Sequence, residues 1–257
     1  MAMKTFLFEL CAGSLEAARV AESAGADQVE LCSDLDIGGV TPAVDVTIAT
    51  IEALSIPVHV LIRARGGDFV FSAGEFALMQ RQIEQAQEAG ASGVAVGVLL
   101  PDGRVDVERS RALVELARPL SVTFHRAFDE TVDLTEALEA VIDTGADCLL
   151  TSGGAPDVLS GADSIARLVR QAGARIPIMA GGGLRLSNLV EVLRRTGVSY
   201  LHGSLIRKNA MHVATNHSGV LEEDVREALR LMRSELVFAD SSRPVRSLRP
   251  AQAITRE

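Results

Sequence analysis

The sequence predicts a closed (β/α)8 barrel in a single domain, and three observations carry that prediction. First, eight short β-rich apolar runs alternate with eight longer amphipathic stretches, the signature of parallel βαβ units. Second, "ESAGADQVEL", "QEAGASGVAV", "IDTGADCLLT" and "RRTGVSYLHG" share one grammar: a helix ends, Gly follows it, and a small residue leads into a strand. Third, the 257 residues, 47% of them hydrophobic, suffice for one large core and show no second compositional block. An open doubly wound sheet is the alternative; eight units with paired spacing favour closure.

The elements follow in order. Strands are expected at 5–11, 27–32, 57–63, 93–98, 120–125, 147–152, 176–181 and 198–204, where β-branched and aromatic residues concentrate. Helices are expected at 14–24, 43–54, 73–89, 106–118, 133–143, 161–172, 187–195 and 222–238. Ser14, Ser72 and Ser187 stand where N-caps are needed. Gly25, Gly90, Gly145 and Gly197 stand where a left-handed residue ends a helix, at the approach to strands 2, 4, 6 and 8. Residues 1–238 make the barrel. From about 240 the chain is rich in Arg, Pro and Ser and poor in apolar residues, so 239–257 reads as a mobile tail.

Composition excludes several function classes. A net charge of −9 disfavours nucleic acid and anionic membranes as partners, since both are repelled at long range. No run of 18 apolar residues offers a membrane span. The apolar run near the N-terminus is broken by Glu9 and reads as a strand, not a signal peptide. Three cysteines make no disulfide framework, which points to free thiols and a cytoplasmic protein.

The tripeptide Glu-Leu-Cys closes both of the first two strands, at 9–11 and 30–32. Side chains alternate along a strand. Phe6, Phe8 and Leu10 suit the helix layer, which sends Glu9 and Cys11 inward; the same parity sends Glu30 and Cys32 inward from a strand roughly 4.8 Å away. Strand 3 adds His59, Arg63 and Arg65, and strand 5 adds His125, with Arg126 in the loop after it. His59 alone reads equally well as a core histidine. Cys148 begins strand 6, at the opposite end, and reads as core. Barrels of this type place their sites at the strand C-termini. The polar set is therefore expected to converge on one mouth, either as a neutralised Glu–Arg network or as a functional site. The "GGG" turn, Gly181, Gly182 and Gly183, follows strand 7, where many barrels hold phosphate on backbone N–H groups; a tight turn alone would also explain it. No nucleophile motif, P-loop, zinc motif or nucleotide-cofactor fingerprint occurs.

These segments resemble the CutC family, labelled copper homeostasis proteins. The resemblance spans about 6–208 and rests above all on "R-x-R-G-G-D-F" at 63–69 and "T-F-H-R-A-F-D" at 123–129. It implies a (β/α)8 barrel, self-association, and Cu(I) held by Cys11 and Cys32. The family-type mouth maps onto Glu9, Glu30, Arg63, Arg65, Asp68, His125, Arg126 and Asp129. Soft thiolates suit Cu(I). Inward arginines suit carboxylate or phosphate, so the same mouth also fits an enzyme on a small anion, with Glu9, Glu30 and His125 as acid–base groups and a hard divalent metal on the carboxylates. A binding module without turnover is the third reading.

Overall fold

In the computed structural model, which describes residues 6–206 and 219–241 with side chains to 235, eight parallel strands close in sequence order. The strands are β1 (Leu7–Ala12), β2 (Gln28–Leu31), β3 (Val58–Leu61), β4 (Gly93–Val96), β5 (Ser121–Phe124), β6 (Cys148–Thr151), β7 (Ile178–Gly181) and β8 (Tyr200–Gly203). The helices are α1 (Leu15–Ala24), α2 (Val44–Ala53), α3 (Ala73–Glu88), α4 (Val107–Ala117), α5 (Leu134–Thr144), α6 (Ala162–Ala172), α7 (Leu186–Thr196) and α8 (Glu222–Ser241). Helix α8 runs three residues past the expected end of the barrel; the expected tail beyond it lies outside the described residues. Among the described residues, no helix is long and apolar enough to cross a membrane.

The predicted punctuation is where the sequence put it, with one exception. Ser14 accepts from the Ala17 N–H, and Ser72 forms a capping box with Glu75. Gly25, Gly90, Gly145 and Gly197 all take positive φ. Ser187 is no cap: it sits inside the first turn of α7. There Asn188 reaches back instead, accepting from the Arg185 N–H at 2.8 Å.

The strand parity sorts the core into two compartments. Phe8, Leu10, Val29 and Leu31 face the helices and are fully buried against Ala17, Ala18 and Ala21 of α1. Inside the barrel, an apolar lower layer joins Leu7, Cys148, Leu150, Met179 and Tyr200, which gives Cys148 its core role. Above it lie the buried polar residues Glu9, Gln28, Glu30, His59, Thr123 and His202. The inward face of β4 and its extension is Gly93, Ala95 and Gly97, almost without side chain. A Cβ on Gly93 would come within 2.6 Å of the His59 ring, and one on Gly97 within 2.6 Å of the His125 ring. Two imidazoles thus occupy the volume that β4 leaves open.

Gly93→Ala should therefore push His59 off its seat and destabilise the barrel by about 1–3 kcal/mol, an overpacking cost. Urea unfolding should show a lower midpoint with an unchanged m-value; an unchanged midpoint would mean that the ring has room to move.

Candidate functional site

The strand C-termini surround a cavity of about 490 Å³. Its floor is built by β1, β2 and β8. The Cys11 and Cys32 thiols are 3.6 Å apart, and the Cys11 sulfur lies 3.6 Å from Glu30 Oε2. His202 Nε2 faces the same carboxylate oxygen at 3.8 Å. One donor atom from each of Cys11, Glu30 and His202 lies within 4.8 Å of the others. All four residues are buried.

Glu9 does not line this cavity. It lies one layer deeper, 1% exposed, as the hub beneath the floor. Its Oε1 meets His202 Nδ1 at 2.7 Å, and its Oε2 accepts from Gln28 Nε2 at 2.6 Å, with His59 Nδ1 at 3.6 Å. Burial alone would push the Glu9 carboxyl up. The hydrogen bond and charge of His202, with His59 and Gln28, outweigh burial and hold it below the usual carboxylate range. In return, although burial disfavours the His202 imidazolium, Glu30 and Glu9 hold its pKa above the ordinary value. Glu30 is different: burial, aided by the Glu9 charge, pushes it up to about 7 despite His202. The Cys11 thiol is pushed well up by its contact with Cys32, by burial and by the two carboxylates.

The wall on the β2–β3 side is Arg63, 4% exposed. Its guanidinium donates to the carbonyls of Gly39 at 3.0 Å and Gly67 at 2.5 Å and lies over the Phe69 ring at 4.4 Å. It ties two loops together at the cavity edge. Arg65 and Asp68 stand outside the cavity, contrary to the expected convergence. Arg65 pairs with Asp68 and Glu75 and donates to the Val70 carbonyl, clamping the start of α3. The reason is that β3 ends at Leu61, so strand parity no longer governs residue 65.

The wall on the β5–β7 side holds His125 and Arg126. The His125 Nδ1 accepts from the Ala127 N–H at 3.2 Å. Burial, then the charges of Arg63 and Arg126, push this imidazole down to about 3, so it is neutral and carries its proton on Nε2. At neutral pH it is a hydrogen-bond donor. Arg126 is held by Asp129 at 2.9 Å and by Ser152 Oγ at 3.1 Å. Asp129 lines nothing; it accepts from Thr151 Oγ1 and from the Ser152 and Gly154 N–H groups, fixing the loop after β6. Gly181 is packed into β7 against Leu150, while Gly182 and Gly183 reach the cavity with φ of 97° and 69°.

Three ionisable cavity residues escaped the sequence reading: His202, Arg185 and Glu130. His202 was within reach, because Tyr200, His202 and Ser204 share the inward parity of β8. Arg185 caps α7 and Glu130 ends a short 3-10 turn, where no period marks direction.

A model of the CutC family matches residues 6–207. A CutC family protein of Mesorhizobium japonicum is 42% identical over 201 residues, 78% of this chain and of its own. The human copper homeostasis protein cutC homolog is 44% identical over 199 residues, 77% of this chain and 73% of its own. The crystal structure of the CutC protein from Streptococcus agalactiae has the same barrel, with a TM-score of 0.74 at 31% identity, covering 78% of this chain and 99% of that one.

The neutral state of His125 has a consequence for stability. Its pKa is depressed on folding from an ordinary value near 6.5 to about 3. The unfolded chain therefore binds the extra proton first, and this contribution is complete above about pH 6.5 and shrinks as pH falls toward 3. Between pH 6.5 and 4, the His125→Gln variant should lose stability more gently than the parent, by up to about 1.4 kcal/mol per pH unit. Parallel denaturation series in which the two slopes coincide would contradict a buried neutral imidazole.

Proposed function

We infer the function from one premise: the chain belongs to the CutC family. Relatives in it carry the name of copper homeostasis proteins, and we propose that this chain binds Cu(I) at the cavity floor, through Cys11 and Cys32 with His202 beside them. The observation that carries this reading is the convergence of buried thiols, imidazole and carboxylate on one point. The donor set fits the ion. Two sulfurs 3.6 Å apart can both reach one metal at bonds of about 2.3 Å, and thiolate with imidazole is a soft set that suits Cu(I) over hard divalent ions.

The residues around the donors support the same role. Glu9 holds His202 Nδ1 and leaves Nε2 turned toward Glu30 and the thiols, the carboxylate–histidine arrangement that orients metal ligands. Glu9 is thus a positioning residue, not an acid–base group. The Cys11 thiol, pushed well up, must lose its proton to the solvent as the ion enters, so binding weakens as pH falls. Three free, buried cysteines agree with a reducing, cytoplasmic setting.

A second reading is favoured by a separate observation: Arg126, Arg185 and the Gly182–Gly183 turn gather on the opposite wall. A metal carrier has no need of them, whereas a small anionic ligand or substrate does. Self-association belongs to the proposal as well. Helix α2 turns Thr47 and Thr50 inward and leaves Val44 and Ile48 exposed on one side of that buried line and Val46 on the other, apolar surface that a second copy of this chain would cover.

Titration of the reduced protein with Cu(I) against a competing chelator should show one tight site that Cys32→Ser weakens by at least about tenfold and His202→Gln weakens less. Equal affinity in all three proteins would remove the floor from the account. Light scattering should give a multiple of 27.2 kDa, and a Val46→Glu variant should shift it toward the monomer. A parent protein already at 27.2 kDa would contradict self-association.

A further inference from the structure

The upper wall of the cavity carries hydrogen-bond donors with no acceptor. His125 is 4% exposed, lines the cavity, and among the described residues has no partner on Nε2. Because Nδ1 is occupied as an acceptor, Nε2 bears the proton and is a fixed neutral donor. A buried donor without a partner is costly, so its place in a cavity wall points to a ligand oxygen.

Across the same wall, the carbonyls of Gly182 and Gly183 are pinned by the Val158 N–H at 2.7 Å and Asn188 Nδ2 at 3.0 Å. Among the described residues, none accepts from the N–H groups of Gly182, Gly183 or Leu184. They stand immediately before α7, an eleven-residue helix whose positive end adds to the field there. The Arg126 guanidinium lies flat on Gly182, so close that a Cβ there would sit 3.0 Å from its central carbon. Arg185, exposed on the rim, hydrogen-bonds to no described residue through its side chain and faces Asp157. Glu130 is the acidic group on the rim, and Glu30 lies at the floor below.

We propose that this wall is a phosphomonoester site: the phosphate sits on the Gly182–Leu184 N–H groups with Arg126 and Arg185, and a neutral oxygen of the same molecule accepts from His125 Nε2–H. The inference rests on the small-anion reading above and names its ligand class. Three successive N–H groups and two guanidiniums offer more donors than a carboxylate's two oxygens can use, and they match the three oxygens of a phosphate dianion. A neutral donor such as His125 recognises a hydroxyl or carbonyl oxygen, not a second charge. The volume, about 490 Å³, suits a small metabolite.

Calorimetric titration with sn-glycerol 3-phosphate, inorganic phosphate and glycolate tests this directly. The two phosphates should bind the parent protein, and glycolate at least tenfold more weakly. Arg126→Gln and Gly182→Ala should each weaken both phosphates at least tenfold. His125→Leu should weaken glycerol 3-phosphate and leave inorganic phosphate unchanged. Arg126 also braces Asp129, so Arg185→Gln, an exposed change, provides a variant that keeps its fold, and it should weaken both phosphates severalfold. Phosphate binding that survives Arg185→Gln and Gly182→Ala, or glycolate binding as tightly as phosphate, would overturn the site while leaving anion binding in place. Binding of none of the three probes would overturn both the site and the anion reading.

Discussion

Two carboxylates buried inside a barrel set the terms for the rest of this structure. An isolated ion in that position costs several kcal/mol in lost hydration, and among the described residues no arginine or lysine pairs with Glu9 or Glu30. The compensation comes from histidine. His202 sits between the two carboxylates, and His59 approaches Glu9 from the other side. Imidazoles are bulky, and β4, whose inward face carries only Gly93 and Ala95, makes room for His59 beside Gly93. A sheet lined with Val and Ile at those positions could not hold this network. The bareness of one strand and the polarity of three others are one arrangement.

The network has a direction. At its base Glu9 is ionised and hydrogen-bonded on both oxygens; at its top Glu30 lies close to its midpoint at neutral pH and touches a thiol. The floor therefore gathers a carboxyl, an imidazole and soft sulfur donors in one place. The wall above is of the opposite character, cationic and rich in fixed N–H donors. Arg65 and Asp129 make this contrast durable from outside the cavity and Arg63 from its wall, because each ties loops together through backbone groups. Such bracing holds cavity donors in place before a ligand arrives.

Much of this was legible in the sequence, and the remainder was hidden for physical reasons. Parity along β1 and β2 sent both Glu-Leu-Cys segments inward, as the buried thiols and carboxylates require. Parity states direction and not depth, so it could not tell that Glu9 lies beneath the floor and Glu30 in it. It also lapses where a strand ends: Arg65, four residues past the end of β3, turned outward to Glu75. His202 was hidden by a different cause. No motif marks it, although its parity with Tyr200 turns it inward, and it completes both the charge network and the donor set. Roles that depend on a partner distant in sequence, such as the 193-residue separation of Glu9 and His202, leave no local trace.

The central claim is that the buried carboxylate–histidine network exists to present two thiols and one imidazole to a single soft metal ion. X-ray absorption at the copper edge, on reduced protein loaded with one equivalent of Cu(I), tests it most directly. The account predicts sulfur scattering from two ligands together with the multiple-scattering signature of one imidazole, and that signature should vanish in the His202→Gln variant while the sulfurs remain. A copper site with no sulfur ligand, or an imidazole signature that survives the loss of His202, would contradict it.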